Sequence, residues 1–231
     1  MMPKLCFLGL LIKFFLTSGG ETQPTHESLK PQKVRFQSRN FHNILRWQPG
    51  IMLAGNSSIY FVQYKMYGQP QWKNKQECWG TPALYCDLTN ETSDLREPYY
   101  GRVKAVLART NSDWVMTPRF TPWWETQIDP PAVTVTRVNA SLLVVLHAPD
   151  LPYRGQNGSN ESMENYYDLV YRVFKINKSV GKEQKVYEGA QRVVETEVLT
   201  PRSSYCVVAE IYRPILDKRS QRSKEKCVQI P

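Results

Sequence analysis

Hydrophobic and polar residues alternate with a period of two along much of the chain. In the stretch YFVQYKM (60–66), the residues at even positions share one face of an extended strand and those at odd positions share the other. Such stretches are rich in Val, Ile, Tyr and Phe, and Pro, Gly and Asn separate them at intervals of about eight to twelve residues. The pattern predicts antiparallel β-strands with one face toward a core and the other mostly toward water.

This strand pattern occurs twice. YFVQYKMY (60–67) matches YDLVYRVF (167–174) at an offset of 107 residues, and YYGRVKA (99–105) matches YCVVAEI (205–211) at an offset of 106. We therefore predict an all-β protein with two tandem fibronectin type III-like (immunoglobulin-like) β-sandwich domains. At about 105 residues each, both domains are long enough to bury a core.

One stretch in the second copy resembles a specific corner of fibronectin type III domains. LTPRSSYCVVAEI (199–211) places Leu199, Pro201, Ser203 and Tyr205 at two-residue steps. In such a corner the tyrosine ring is buried, while its hydroxyl bonds back to the nearby backbone.

The two copies are joined by RFTPWWETQIDPP (119–131). We predict that VMTPRFTPWWE (115–125) forms an edge strand of the first domain, where proline is tolerated. In an extended chain Trp123 and Trp124 would point to opposite sides, one into the core and one near the elbow. IDPP (128–131) fixes two backbone angles and makes the elbow short and stiff.

The first twenty residues have a cationic start, an apolar run from Leu5 to Leu16 and then small residues, as in a secretory signal peptide. A dozen residues would span only about 18 Å as a helix, against roughly 30 Å of hydrocarbon, so the run is too short for a transmembrane anchor. We expect residues 1–20 to be a leader, 21–128 the first domain and 129–231 the second. The product would be a secreted, extracellular monomer with no membrane anchor.

The potential N-glycosylation sites also agree with a secreted protein. Asn-x-Ser/Thr sequons are expected on exposed surface, usually in loops. The chain has six of them, at Asn56, Asn90, Asn139, Asn157, Asn160 and Asn177.

Cysteine usage also fits an extracellular protein. Cys6 would leave with the leader, and four cysteines allow three pairings. The pairing that respects two domains joins Cys78 to Cys86 and Cys206 to Cys227. The spacing suits neither a CxxC redox pair nor a zinc knuckle, so we expect no metal site.

Charge and catalytic motifs narrow the function further. Lys and Arg number 30 against 21 Asp and Glu, a net charge of +9 spread over both halves, which is typical of a solvated surface and not of nucleic-acid binding. The three histidines lie far apart in sequence, and no HExxH, GxSxG or glycine-rich phosphate motif is present. We expect neither an enzyme nor a cofactor, and weak glycosaminoglycan binding stays open.

The junction TPRFTPWWETQIDPP (117–131), the two sandwiches and the two local cysteine pairs together resemble the ectodomain of a class II cytokine receptor. The resemblance covers the chain after the leader. It implies a soluble decoy that binds the helical cytokine interleukin-22 and keeps it from its cell-surface receptor. The alternative is an adhesion or matrix-type module that holds sulfated glycans through its basic surface.

The resemblance also implies where the cytokine binds. It places the principal anchor on a Tyr-Gly pair, here Tyr67 and Gly68, although Tyr67 could instead cover the edge of the sandwich. Four further loops (89–95, 109–114, 150–166 and 212–220) are expected to complete one convex corner. Apolar residues at a loop tip, such as Ile215 and Leu216, are a stronger binding signal than neighbouring charges. The candidate contacts are Tyr67, Gly68, Thr89, Asp94, Arg109, Ser112, Tyr153, Arg154, Arg213, Ile215 and Leu216, with Trp114 expected in the core.

The cysteine arrangement generates the first prediction. Peptide mapping of the secreted protein without reduction should find Cys78 linked to Cys86 and Cys206 linked to Cys227, because each pair lies within one domain. A bridge between the two halves would contradict the division into two domains.

Overall fold

The computed structural model describes residues 26–51, 58–196 and 200–231. The predicted leader (1–20), Asn56 and Leu199 lie outside the described residues. Within them the protein is nearly all β and forms two tandem fibronectin type III-like sandwiches, which confirms the predicted fold class.

The first sandwich packs a sheet ordered β1-β2-β5 against a larger sheet ordered β4-β3-β6-β7, with β8 also paired to β6. All of its strand pairs are antiparallel. The strands are β1 (Gln32–Arg39), β2 (His42–Gln48), β3 (Ile59–Met66), β4 (Lys73–Thr81), β5 (Tyr85–Asp87), β6 (Tyr99–Leu107), β7 (Thr110–Asn111) and β8 (Val115–Met116).

The second sandwich repeats this architecture, with sheets ordered β15-β10-β9 and β14-β13-β16-β17, β18 pairing with β16, and a separate hairpin of β11 and β12. Its strands are β9 (Ala132–Val138), β10 (Ser141–His147), β11 (Asp150–Arg154), β12 (Asn160–Ser162), β13 (Val170–Asn177), β14 (Lys182–Gly189), β15 (Val193–Glu195), β16 (Ser204–Arg213), β17 (Lys218–Arg219) and β18 (Lys226–Gln229).

Helical structure among the described residues is limited to single turns. Two are four-residue α-helices, α1 (His26–Leu29) and α2 (Pro122–Glu125), and three are 3-10 turns (Asn90–Thr92, Met163–Asn165 and Pro214–Leu216). None is long and apolar enough to cross a membrane. The predicted edge strand over 115–125 is confirmed as far as Phe120, which forms an antiparallel bridge to Tyr99 on β6, and is wrong from Pro122 onward. Pro122 starts a helix, where proline is well tolerated at the first position.

The predicted alternation places the core of the first sandwich. On β3, Tyr60 and Val62 are buried and Phe61 is not, as expected for one buried face. Gly101 on β6 lies against Leu45, since a Cβ at Gly101 would come within 3.0 Å of the Leu45 side chain. The two sheets are therefore in close contact at this point.

Strand pairing corrects one alignment of the repeat. Tyr60 pairs with Ala105 on β6, and Tyr171 pairs with Ile211 on β16. Ala105 and Ile211 match at the predicted offset of 106 residues, so Tyr60 corresponds to Tyr171 and not to Tyr167. In sequence alone Tyr60 can be aligned with either Tyr167 or Tyr171. Only the partner residue on the neighbouring strand shows which of the two occupies the same position.

The disulfides join Cys78 to Cys86 and Cys206 to Cys227, the pairs expected from the two-domain division. The predicted corner is also present in the second domain. The Tyr205 ring is buried, and its hydroxyl accepts a hydrogen bond from the Thr200 backbone N–H at 3.2 Å.

The core of the second sandwich extends into the first. Phe41, in the turn between β1 and β2, is fully buried in the second domain's cluster with Tyr167, whose ring stacks on it at 5.8 Å. Leu95 from the first domain joins the same cluster. Phe41 adopts a left-handed backbone conformation (φ 63°), which is costly for an aromatic residue. Its packing offsets that cost.

Truncating this side chain tests the shared core. Phe41→Ala should lower the free energy of unfolding by about 3–5 kcal/mol, because it removes a large ring from a fully buried site. Urea unfolding followed by tryptophan fluorescence measures the change. Phe61→Ala is the matched control on the partly exposed outer face and should cost clearly less. Equal effects of the two variants would contradict a shared core built on Phe41.

Candidate functional site at the elbow

Two loops of the first domain lie at the end that faces the second domain. β3 ends at Met66 opposite Tyr99, the first residue of β6, and the Tyr67 N–H donates to the Pro98 carbonyl at 2.7 Å. The β3–β4 loop and the β5–β6 loop are thus side by side. The Trp123 N–H donates to the Leu95 carbonyl at 2.8 Å, which ties the second loop to the linker.

Two segments of the second domain face the same corner. Val170, the first residue of β13, pairs with Tyr212 near the end of β16. The segment before β13 (148–169) and the turn after β16 (214–217) therefore leave the sheet at one end. Tyr153 reaches the first domain from there, because its hydroxyl donates to the Thr89 carbonyl at 3.2 Å.

The loop 109–114 does not belong to this corner, so that expectation is wrong for Arg109 and Ser112. It follows Leu107, at the other end of β6 from Tyr99, and eight strand residues span about 25 Å. Arg109 is exposed there. Ser112 is buried, and its hydroxyl accepts from the Ala105 N–H at 2.9 Å.

Polar contacts fix the backbone of the elbow. The Asn40 side chain holds Asp129 twice, donating to a carboxylate oxygen at 2.7 Å and accepting from the Asp129 N–H at 2.9 Å. Arg39 pairs with the other carboxylate oxygen of Asp129. Gln127 bonds through its backbone to Asn40 and Ser38. The linker therefore runs along the β1–β2 turn as part of one packed unit.

An aromatic cluster fills the space between the domains. The Trp123 ring lies 4.4 Å from the Tyr167 ring, whose hydroxyl donates to the Trp123 carbonyl at 2.6 Å. Arg96 covers Trp123 at 4.7 Å, and Arg213 covers Tyr167 at 5.0 Å. Trp124 is 51% exposed. One tryptophan is inward and one outward, as expected, but a helical turn and not an extended strand separates them.

Three predicted contact residues instead hold the elbow together. Thr89 is buried, and its hydroxyl accepts from the Asn43 N–H at 3.0 Å. Arg213 is buried, and it donates to the Thr126 carbonyl at 3.2 Å. Burial lowers the pKa of Arg213 and raises the pKa of Tyr153. Their location between domains follows from tertiary packing, which their place in surface loops does not reveal.

The predicted residues that do reach the surface lie on both domains. Tyr67 is 57% exposed and Ile215 is 73% exposed, while Leu216 is only half-buried. Asp94 and Arg154 are exposed as well. Gly68 follows Tyr67 with φ 81°, a conformation that L side chains rarely adopt. The corner therefore offers apolar side chains from two loops on a stiff base.

Comparison with known proteins identifies the family. Family profiles described as "Tissue factor" and "Interferon-alpha/beta receptor, fibronectin type III" match residues 7–114 and 126–231. Interleukin-22 receptor subunit alpha-2 of Rattus norvegicus is 68% identical and that of Homo sapiens 63%, each over 100% of both chains. The chain belongs to the class II cytokine receptor family. A crystal structure of the chicken interferon gamma receptor alpha chain, 24% identical, superimposes with a TM-score of 0.67 over 88% of this chain and 99% of its own, and so shares the fold.

Several residues of the receptor's elbow escaped sequence reasoning. Arg96 and Asn40 act through contacts with residues distant in sequence, and no local motif marks them. Trp114, which we expected in the core, is instead half-buried on the outer face of the larger sheet, stacked with Arg102 at 4.7 Å and Lys104 at 5.2 Å. The only sequence signal for this stack is that Arg102 and Lys104 lie two residues apart, and therefore on the same face of β6.

The described sequons of the receptor lie outside its buried core. Asn90, Asn139, Asn157 and Asn160 are exposed, and Asn177 is partly exposed. Asn90 starts the 3-10 turn beside Thr89, and Asn157 lies in the β11–β12 turn. Glycans on these two would stand beside the corner, so contact there must use neighbouring side chains.

The buried Tyr167 gives the receptor's elbow a pH dependence. Burial raises its pKa to about 12, so the folded state keeps the hydroxyl protonated where the unfolded state ionises, near 10. The stabilisation is complete below pH 10 and is lost as pH rises toward 12. At pH 11.5 the parent should have lost roughly 2 kcal/mol through this group.

Tyr167→Phe separates this effect from packing. At pH 8 the variant should be less stable by about 1 kcal/mol, because the Trp123 carbonyl loses its donor. At pH 11.5 the variant should be more stable than the parent by about 1 kcal/mol, because the parent loses roughly 2 kcal/mol through Tyr167 and phenylalanine does not ionise. Urea unfolding at both pH values measures the difference. A deficit of the same size at both would contradict the assignment.

Proposed function

We propose that the chain is a secreted decoy receptor that binds the helical cytokine interleukin-22 at the elbow and withholds it from the cell-surface receptor. Membership of the class II cytokine receptor family supports a cytokine partner. The relatives named interleukin-22 receptor subunit alpha-2 support the particular cytokine, because the match covers their whole length. The leader pattern and the sequons support secretion, with domains at 21–128 and 129–231.

The observation that carries the proposal is the exposed Tyr67 beside a rigid elbow. A decoy acts only by occupying its partner's receptor-binding surface, so it needs desolvated anchors on loops that do not move on binding. Tyr67 is 57% exposed, and among the described residues its ring has only the ring of Tyr100 as an aromatic neighbour, at 6.3 Å. It therefore has much of its apolar surface free for a partner.

The buried elbow residues supply the rigidity that such anchors need. The buried Thr89 and Arg213 and the partly buried Tyr153 bind across loops and domains. The exposed Asp94, Arg154 and Ile215 and the half-buried Leu216 are left for contact. Gly68 permits the tight turn after Tyr67, because its positive φ would strain any side chain. We assign binding to the exposed group and support to the buried one.

Family membership favours this function over a matrix module as the chain's principal role. A cytokine interface that depends on aromatic anchors should weaken only modestly with salt, whereas binding to a sulfated glycan should collapse at high ionic strength. A monomeric state of the chain is part of the proposal.

Removing the anchor tests the proposal directly. Tyr67→Ala should weaken interleukin-22 binding by at least about 2 kcal/mol in isothermal titration calorimetry, because a central aromatic contact is lost. Thermal unfolding should stay nearly unchanged, since the ring is exposed.

Tyr85→Ala provides the matched control. Tyr85 is 53% exposed and lies on β5 in the smaller sheet of the first domain, paired with Arg46, whereas Tyr67 follows β3 in the larger sheet. This variant should bind interleukin-22 like the parent. Equal affinity of the Tyr67 variant and the parent would reject Tyr67 as the anchor, and absence of binding by the parent would reject the function.

A further inference from the structure

The outer faces of the two large sheets differ in charge. In the second domain Arg172 on β13 pairs with Glu188 at 2.8 Å and lies 3.6 Å from Glu210. Arg222 forms two hydrogen bonds to Glu183, at 2.9 and 3.0 Å. The cations of this face are thus neutralised by carboxylates on neighbouring strands.

The same face of the first domain has cations without carboxylates. Lys65, Arg102 and Lys104 contact the rings of Trp72, Trp114 and Phe61 at 4.2–5.3 Å. The only hydrogen bond of the Arg102 side chain described is to the Gln63 amide oxygen, at 2.7 Å. Across the described part of the chain, no ion pair involves any of the three.

The strand register shows that one position of the repeat has opposite charges in the two domains. Lys104 lies opposite Phe61 on β3, and Glu210 lies opposite Arg172 on β13. Lys104 and Glu210 also match at the repeat offset of 106 residues. A carboxylate in one copy therefore corresponds to an ammonium group in the other.

The three cations form a row. Lys65 pairs with Tyr100, and Arg102 and Lys104 follow at two-residue steps on the same face of β6. Two such steps cover about 14 Å. The rings hold the side chains in place, while each of the three remains partly exposed. Such a row is complementary to a linear polymer of repeated negative charge.

We infer that this face, defined by Lys65, Arg102, Lys104 and the rings of Trp72 and Trp114, binds a sulfated polysaccharide. Sulfate groups meet the row of cations, whose charge no carboxylate of the face cancels. The row begins beside the cytokine corner at Lys65, two residues before Tyr67, and runs along the sheet away from that corner to Lys104. A glycan held at the Arg102 and Lys104 end leaves the corner free. The receptor would then be retained on extracellular glycans while it captures its partner.

Immobilised heparin tests the inference without any cytokine. The double variant Lys65→Gln, Lys104→Gln should elute at clearly lower NaCl than the parent, with about a tenfold loss of affinity at physiological salt. The control double variant Lys182→Gln, Lys224→Gln removes the same charge from exposed positions of the second domain and should elute like the parent. Equal shifts for the two double variants, or no shift for the first, would overturn the site.

Two further experiments distinguish the loss of a specific contact from the loss of the folded state. Lys104→Glu copies the carboxylate of the second domain and should abolish retention, whereas non-sulfated hyaluronan should not retain even the parent. Near-ultraviolet circular dichroism must match the parent for each variant. Interleukin-22 binding should be unchanged in Lys104→Glu, because Lys104 lies opposite Phe61, five positions before the end of β3 at Met66. A failure of the glycan site is therefore distinct from a failure of the decoy function. Retention of Lys104→Glu at parental salt would also overturn the inference.

Discussion

The packing of Phe41 against Tyr167 is the interaction on which the rest of the structure depends. It places a side chain of the first domain inside the core of the second, so the two sandwiches share apolar surface. Trp123 extends the cluster from the linker, and Asn40 and Asp129 fix the backbone around it. Because protein interiors resist deformation, this shared core holds four loops in one arrangement. The binding corner is a consequence of that packing and not a property of any single loop.

Rigidity and exposure are divided between different residues of the same loops. Tyr153 precedes Arg154 on β11, and Arg213 ends β16 just before Ile215; Arg213 is buried and Tyr153 partly buried, whereas Arg154 and Ile215 are exposed. A loop that is already fixed by its buried residues loses little further conformational entropy when a partner binds. More of the free energy of contact therefore appears as affinity. On the outer faces of the sheets, side chains can differ in charge between the two domains without disturbing the core. The carboxylate of Glu210 and the ammonium of Lys104 are the clearest example.

Much of the architecture could be predicted from residue patterns. Alternation along β3 predicted that one of its two faces would be buried, the repeat predicted two sandwiches, and the local spacing of cysteines predicted both disulfides. The helix at Pro122 was missed because proline is tolerated both in edge strands and at the first helical position. The misaligned tyrosine of the repeat arose because Tyr167 and Tyr171 stand in similar local sequence and differ only in their partners.

The sequence by itself determined the fold class, because the fold class depends on periodicity and on the spacing of the repeat. The resemblance of its motifs to class II cytokine receptors indicated the family and the candidate anchor. Only the tertiary structure decided which loops meet. Loop 109–114 was expected at the corner, but the direction of β6 carries it to the far end of the domain. Thr89 and Arg213 look like surface residues, but packing between domains buries them. Such outcomes depend on residues brought together from distant parts of the chain, and no local pattern encodes the distance between them.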